Sequence, residues 1–264
     1  MTPPSQPLSP FTPSLNVLLT PADFAAVRSC DLNNTVCVVF DVLRATSTMV
    51  TALANGAAAL IPVTEIPEAL ALHQQRPELL LAGEREGVRI PATLTGGASF
   101  DFGNSPREFT SKAIAGKTIV MTTTNGTRAL RACAHARLVL LGAFLNLRAT
   151  ADFIVKNGPR DLLLVCSGTH DEAAYEDVLC AGALCDLLWT KFSSGKVADS
   201  ALMARKLYDL EKHDLKAAFA HSRNGARLSS IPDLRDDLPF CAQCDILRLV
   251  AQLTKAGEVK RLNA

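Results

Sequence analysis

Residues 36–50 read VCVVFDVLRATSTMV, and residues 118–128 read TIVMTTTNGTR. In each, an unbroken apolar run of strand length ends in a cluster of polar side chains and then gives way to a helical pattern. An apolar run without alternation is how a strand covered on both faces reads. Polar residues gathered where such a strand hands over to a helix mark the place where α/β sheets hold ligands. The pattern recurs along the chain. Strand-like runs at 15–19, 36–42, 58–63, 79–82, 118–122, 138–141 and 161–166 alternate with helical stretches. The alternation predicts an α/β fold with mainly parallel or mixed sheets.

Helix starts fall between these runs. Thr20-Pro21-Ala22-Asp23 offers a capping hydroxyl followed by proline and an acid in the first turn. Ser105-Pro106-Arg107-Glu108 has the spacing of a capping box. Asn125 and Asn146 precede further helices at 128–135 and 147–156, and Gly56 and Gly158 stand where helix C-terminal glycines belong. Beyond residue 172 the chain reads as mostly helical, through 172–192, 197–208 and 210–222, and 245–253 suits either strand or helix. The expected organisation is a disordered Pro-rich tail at 1–13, an α/β half at 14–145 and a helix-rich α/β half at 146–264.

Composition narrows the function. The chain has 264 residues, 48% of them hydrophobic, which is enough for one sizeable core or two small ones in contact. A formal net charge of +1 provides no basic surplus for duplex nucleic acid, and 5% aromatics provide no stacking platform for single strands. No run reaches the roughly 18 apolar residues of a membrane span. The N-terminus lacks the basic start and apolar middle of a signal peptide, so the expected location is cytoplasmic. The eight cysteines suggest no disulfide framework, and Cys241-x-x-Cys244 stands alone, without the second pair of a zinc site. A small molecule is the expected partner, with a homodimer as a possible assembly.

The chemistry gathers after the strands. Asp41-Val42-Leu43-Arg44-Ala45-Thr46-Ser47-Thr48 combines an acid for a hard cation, an arginine for a two-pronged phosphate grip and three hydroxyls. Gly83-Glu84-Arg85-Glu86-Gly87 follows the fourth run. Gly103-Asn104-Ser105-Pro106 opens another helix. Four threonines, Asn125, Gly126 and Arg128 in 122–128 exceed what a helix cap needs and suit an oxyanion. Ser167-Gly168-Thr169-His170 follows the last strand, and Glu176-Asp177 then supply adjacent acids suited to a helix dipole or to magnesium. Familiar phosphate motifs are missing. Gly116-Lys117-Thr118 has Ser111 where a P-loop needs glycine and leads into a strand, and no G-x-G-x-x-G occurs. Asp41-Val42-Leu43 lacks the second aspartate of the D-x-D phosphatases. The five histidines show no metal spacing.

Taken in order, VVFDVLRATSTMVTALANGA, LLAGEREGVRI, FDFGNSPREF, GKTIVMTTTNGTRAL, LLGAFLN, VCSGTHDEAAYEDVLCAGAL and SRNGARLSSIPDLRDDLPFCAQCD resemble the 2-phosphosulfolactate phosphatase family from about residue 15 to 250. The resemblance implies Mg²⁺-dependent removal of phosphate from 2-phospho-3-sulfolactate, on a route towards coenzyme M. It also implies an unusual α/β topology with the site between two halves. Such a substrate carries three anionic groups. The candidates for anion contacts are Arg44, Arg85 and Arg128, with donors from Thr46, Ser47, Asn104, Ser105, Thr123, Thr124, Asn125 and Gly126. Asp41, Glu176 and Asp177 are the candidate magnesium ligands, and Glu84 is the candidate general base. Attack by water is expected, because no nucleophile motif is present. Two other functions fit the same residues: a phosphatase for another phosphorylated hydroxy acid, and a phosphoanion-binding protein without turnover.

Overall fold

The computed structural model describes residues 12–262. The expected Pro-rich tail therefore lies outside the described residues, apart from its last two. The described chain runs β1 (Ser14–Leu18), α1 (Phe24–Ser29), β2 (Thr35–Phe40), α2 (Ala45–Ala54), β3 (Ala59–Val63), α3 (Ile66–Gln75), β4 (Leu80–Arg85), β5 (Val88–Arg89), α4 (Ser111–Ile114), β6 (Thr118–Thr122), α5 (Gly126–Ala132), β7 (Leu138–Gly142) and α6 (Leu147–Asn157). It continues with β8 (Asp161–Cys166), α7 (Tyr175–Phe192), β9 (Lys196–Val197), α8 (Asp199–Glu211), α9 (Leu215–His221), α10 (Arg223–Ser230), α11 (Asp237–Cys241), β10 (Ala251–Leu253) and β11 (Val259–Arg261). All seven strands read from the sequence form. The four others, β5, β9, β10 and β11, have two or three residues each, too few to leave an apolar run. The ambiguous stretch 245–253 is strand only at its end.

The strands make one sheet, ordered β5-β4-β6-β3-β11-β10-β7-β2-β8-β1-β9. Strands β7, β2, β8, β1 and β9 run parallel and form one wing. Strands β3, β6 and β4 run parallel and form the other. The β10–β11 hairpin joins the wings through antiparallel pairings with β7 and with β3. Chain and sheet divide differently. Strand β8, from beyond residue 146, lies between β2 and β1, and the last two strands fill the middle. Three successive antiparallel pairings make the wings run in opposite senses. Twist of about 20–25° per strand, accumulated over the five steps from β2 to β6, then turns one wing roughly 100–125° against the other. The carboxyl ends of β2, β4 and β6 thereby meet at one cleft.

Burial explains the composition of the central elements. Every residue of β2 is buried, as its unbroken apolar run demands. Helix α2 is buried from Ala45 to Leu53 and packs in a core shared by both wings, with Cys37 and Val39 of β2, Ile119 and Met121 of β6 and Val139 of β7. Such a helix needs small side chains, and its hydroxyls must find partners inside. Ser47 Oγ donates to Val42 O at 2.8 Å and Thr51 Oγ1 to Ser47 O at 2.7 Å. On the other face, α7 lies tightly against α8: a Cβ on Gly182 would stand 2.1 Å from the Ala204 carbonyl oxygen. Among the described residues no helix is long and apolar enough to cross a membrane.

Candidate active site

A cleft opens where the wings meet. Its walls come from the loops after β2, β4, β6 and β8, from Asn104, and from α10. Asp41 stands at the carboxyl end of β2 and is buried. Its Oδ1 accepts from the Ala45 amide at 3.0 Å, which leaves Oδ2 facing Gly126. A Cβ on that glycine would lie 2.7 Å from Asp41 Oδ2, so the first turn of α5 approaches the carboxylate because residue 126 has no side chain. Burial pushes the Asp41 carboxyl up to about 7; the Ala45 amide opposes this, the charges of Glu84 and Glu176 add to it, and Arg44 offsets part.

Glu176 and Asp177 sit in the first turn of α7 with 1% and 2% of their surface exposed. Asp177 clamps two loops: Oδ1 accepts from Val42 N at 2.8 Å and Oδ2 from Gly168 N at 3.1 Å. Glu176 Oε1 accepts from Asn224 Nδ2 at 2.6 Å, while Oε2 is buried without a partner. Burial raises both carboxyls, that of Asp177 well above its ordinary value with Asp41 and Glu176 contributing. Among the described residues no three His, Cys, Asp or Glu side chains converge into a ready-made metal cage. The expected ligand trio is thus an acidic cluster, with Asp177 committed to backbone amides.

Arg44 lines the cleft but is 3% exposed. Its Nη1 lies 2.6 Å from Asp237 Oδ2, and its Nη2 donates to Gly87 O. Glu84 also lines the cleft, yet Oε1 accepts from the amide and hydroxyl of Thr124, both at 2.9 Å, and Oε2 from Gly87 N at 2.8 Å. Three donors make it an anchor for two loops rather than a free proton acceptor. Asn104, Thr123, Thr124 and Asn125 line the cleft. Asn104 is buried with Oδ1 unpartnered, and Asn125 Oδ1 accepts from His170 N at 3.3 Å.

Other expected contacts do not reach it. Thr46 Oγ1 bonds the backbone of Asp41, and Ser47 Oγ that of Val42, so both hydroxyls shape the loop from behind. Arg85 turns away to Thr64 O and Thr122 Oγ1. Arg128 is part-exposed and lies 3.6 Å from Asp171 Oδ1, outside the lining. Ser105 caps no helix; its Oγ donates to Asp237 Oδ1 at 2.6 Å, and Glu108 accepts from Gly103 N instead of closing a capping box. Sequence reasoning left Glu86, Thr169, His170, Asn224, Arg227 and Asp237 without a role. The first five line the cleft, and Asp237 is the fully buried partner of Arg44. Asn224, Arg227 and Asp237 belong to short helices far along the chain, where nothing local marks them.

The chain matches the profile of a family described as 2-phosphosulpholactate phosphatase over residues 24–256. It is 36% identical over 239 residues to a protein of Caldicellulosiruptor saccharolyticus, covering 89% of this chain and 96% of that one. It is 37% identical over 247 residues to one of Caldanaerobacter subterraneus subsp. tengcongensis, covering 92% and 97%. A protein of Symbiobacterium thermophilum is 38% identical over 234 residues, covering 87% and 95%. Each of the three is named a probable 2-phosphosulfolactate phosphatase. With matches this long, and with the polar ends of β2, β4 and β6 drawn to one cleft, the chain belongs to the 2-phosphosulfolactate phosphatase family.

Proposed function

We propose that the protein is a magnesium-dependent phosphatase that hydrolyses 2-phospho-3-sulfolactate, or a close small anionic phosphate ester, to the hydroxy acid and phosphate. One observation carries the metal. Asp41, Glu84, Glu176 and Asp177 are buried around the cleft, and the one buried guanidinium among the described residues, Arg44, is paired with a further acid, Asp237. Burial disfavours the charged forms of these acids, and a cation there would let them ionise while neutralising a multiply anionic ester. The donors fit magnesium: they are all oxygens, Glu176 Oε2 has no partner, and Asp41 Oδ2 faces the α5 turn. Magnesium keeps several waters and takes one or two carboxylates, so it needs no three-acid cage.

When bound, Mg²⁺ supplies charge neutralisation at phosphoryl oxygens and acidification of water. The chain's own groups position the ester. Thr123, Asn125 and Asn104 offer hydrogen bonds from the cleft wall, and Glu84 holds the Thr124 and Gly87 backbones that frame it. Phosphoryl transfer is accelerated mainly by such positioning and by charge neutralisation. Attack is by water. The test is phosphate release from 2-phospho-3-sulfolactate, phospholactate and phosphoglycolate, with Mg²⁺ and with a chelator. Chelator-sensitive release, fastest on the sulfonate, supports the reading. Release unaffected by chelation removes the metal, and equal rates on all three remove the substrate.

A further inference from the structure

The two walls of the cleft differ in charge. The inner wall carries Asp41 and Glu84, and Glu176 is buried behind it against Asn224. The outer wall carries Arg227 and Asn224 from α10 and His170 from the loop after β8. Arg227 is part-exposed at 44% and reaches across the mouth. Its Nη2 donates to both Glu86 O and Glu86 Oε2, each at 2.5 Å. Glu86 is the turn residue between β4 and β5, held at φ 58°, and its side chain is 75% exposed. His170 lines the same mouth. An exposed carboxylate thus sits against a guanidinium, at a rim that His170 also lines, over a cleft with acids inside.

We propose that Arg227 reads the second anion of the substrate, a sulfonate or carboxylate, and that the Glu86 carboxylate occupies that anion's place until the substrate arrives. This rests on the phosphatase reading and adds to it the residue that selects among esters. An ester oriented with its phosphoryl group towards Asp41 and Asn125 places its remaining anions outward, against Arg227 and His170. The guanidinium matches the planar oxygen pairs of both sulfonate and carboxylate. Glu86, on a turn at the surface, gives up its partner at small cost because exposed ion pairs hold weakly. Arg227 is a specificity-determining residue here, and Glu86 a competitor for it.

The experiment is calorimetric binding of 3-sulfolactate and of lactate to the full chain with Mg²⁺, in the wild type, Arg227→Ala and Glu86→Gln. Binding needs no turnover, so it reads the anion site even if no ester proves to be a substrate. Arg227→Ala is expected to weaken 3-sulfolactate at least about tenfold, the size of one lost charge-assisted hydrogen bond. Glu86→Gln is expected to tighten it about threefold or more, because the competing charge is gone. An unchanged lactate affinity in both variants identifies the sulfonate as the group read; parallel shifts identify the carboxylate. The proposal is overturned if Arg227→Ala stays within twofold of wild type. It is also overturned if Glu86→Gln weakens binding as Arg227→Ala does, since the pair is then a clasp and not a competition. Thermal unfolding of both variants confirms the fold, and failure of the wild type to bind 3-sulfolactate also overturns the assignment.

Discussion

Removing the carboxylate of Asp237 should cost this protein much of its stability. Asp237 has no exposed surface and accepts from Arg44 Nη1 at 2.6 Å, Ser105 Oγ at 2.6 Å and Arg107 Nε at 2.8 Å. In Asp237→Ala the guanidinium of Arg44, 3% exposed, keeps only the Gly87 carbonyl as a partner. Stranding one member of a buried pair costs about 3–5 kcal/mol. The orphaned Ser105 hydroxyl adds about 1–3 kcal/mol. Arg107 is 36% exposed and recovers its hydration, so its share is at most about 1 kcal/mol. The sum is a large part of the roughly 5–15 kcal/mol that keeps a typical domain folded. Equilibrium urea unfolding reads it directly. The double variant Arg44→Met with Asp237→Leu removes both charges and should recover all but the Ser105 cost, because an apolar pair can replace a buried ion pair nearly neutrally. A loss below about 1 kcal/mol in Asp237→Ala, or a double variant no better than the single one, would refute the stranded-charge reasoning.

Two further outcomes test the site and a third the burial of the thiols. Glu176→Gln should raise the Mg²⁺ concentration for half-maximal phosphate release at least about tenfold, because Oε2 is the unpartnered buried oxygen of the cluster; a titration of rate against Mg²⁺ checks it. Gly126→Ala should lower kcat/KM and cost about 1–3 kcal/mol, since the new Cβ would stand 2.7 Å from Asp41 Oδ2 and 2.8 Å from Ala45 Cβ; steady-state kinetics and thermal melts read both. A thiol reagent should label two cysteines in the native protein, Cys30 ahead of Cys244, whose thiol burial pushes up; the six buried ones should react only on unfolding, as counted by mass spectrometry.

The elements legible in the sequence were those whose environment is written locally. Strands β2 and β6 are covered on both faces and carry unbroken apolar runs, and the polar residues at their ends do come together. Hydroxyls were harder to read, because composition does not say which way a side chain turns. Thr46 and Ser47 sit one loop from the cleft and bond their own backbone, while Thr123 and Thr124 face it. The partner of Arg44 was out of reach for another reason. Asp237 follows at the far end of the chain, on a helix of five residues whose only distinction is its position in space. Glu84 looked like a base from its place after a buried strand, and only the three donors around it show that it holds loops. Of the hairpin strands, β10 lies at the end of a stretch that suited either strand or helix, and β11 left no signal because three residues make no period.

The placement of that hairpin sets an order on how the molecule is made. Strand β11 pairs Val259 with Leu60, partners about 200 residues apart, the kind of distant closure that slows folding. During synthesis, the seven strands before α6 emerge first, and the edges of β7 and β3 stay unpaired until residues 251–261 have emerged. A nascent chain of this protein therefore carries the open edge of β3 from residue 63 and that of β7 from residue 142 until the hairpin at 251–261 is made. The cleft, which needs both wings, comes into being only as the final segment docks.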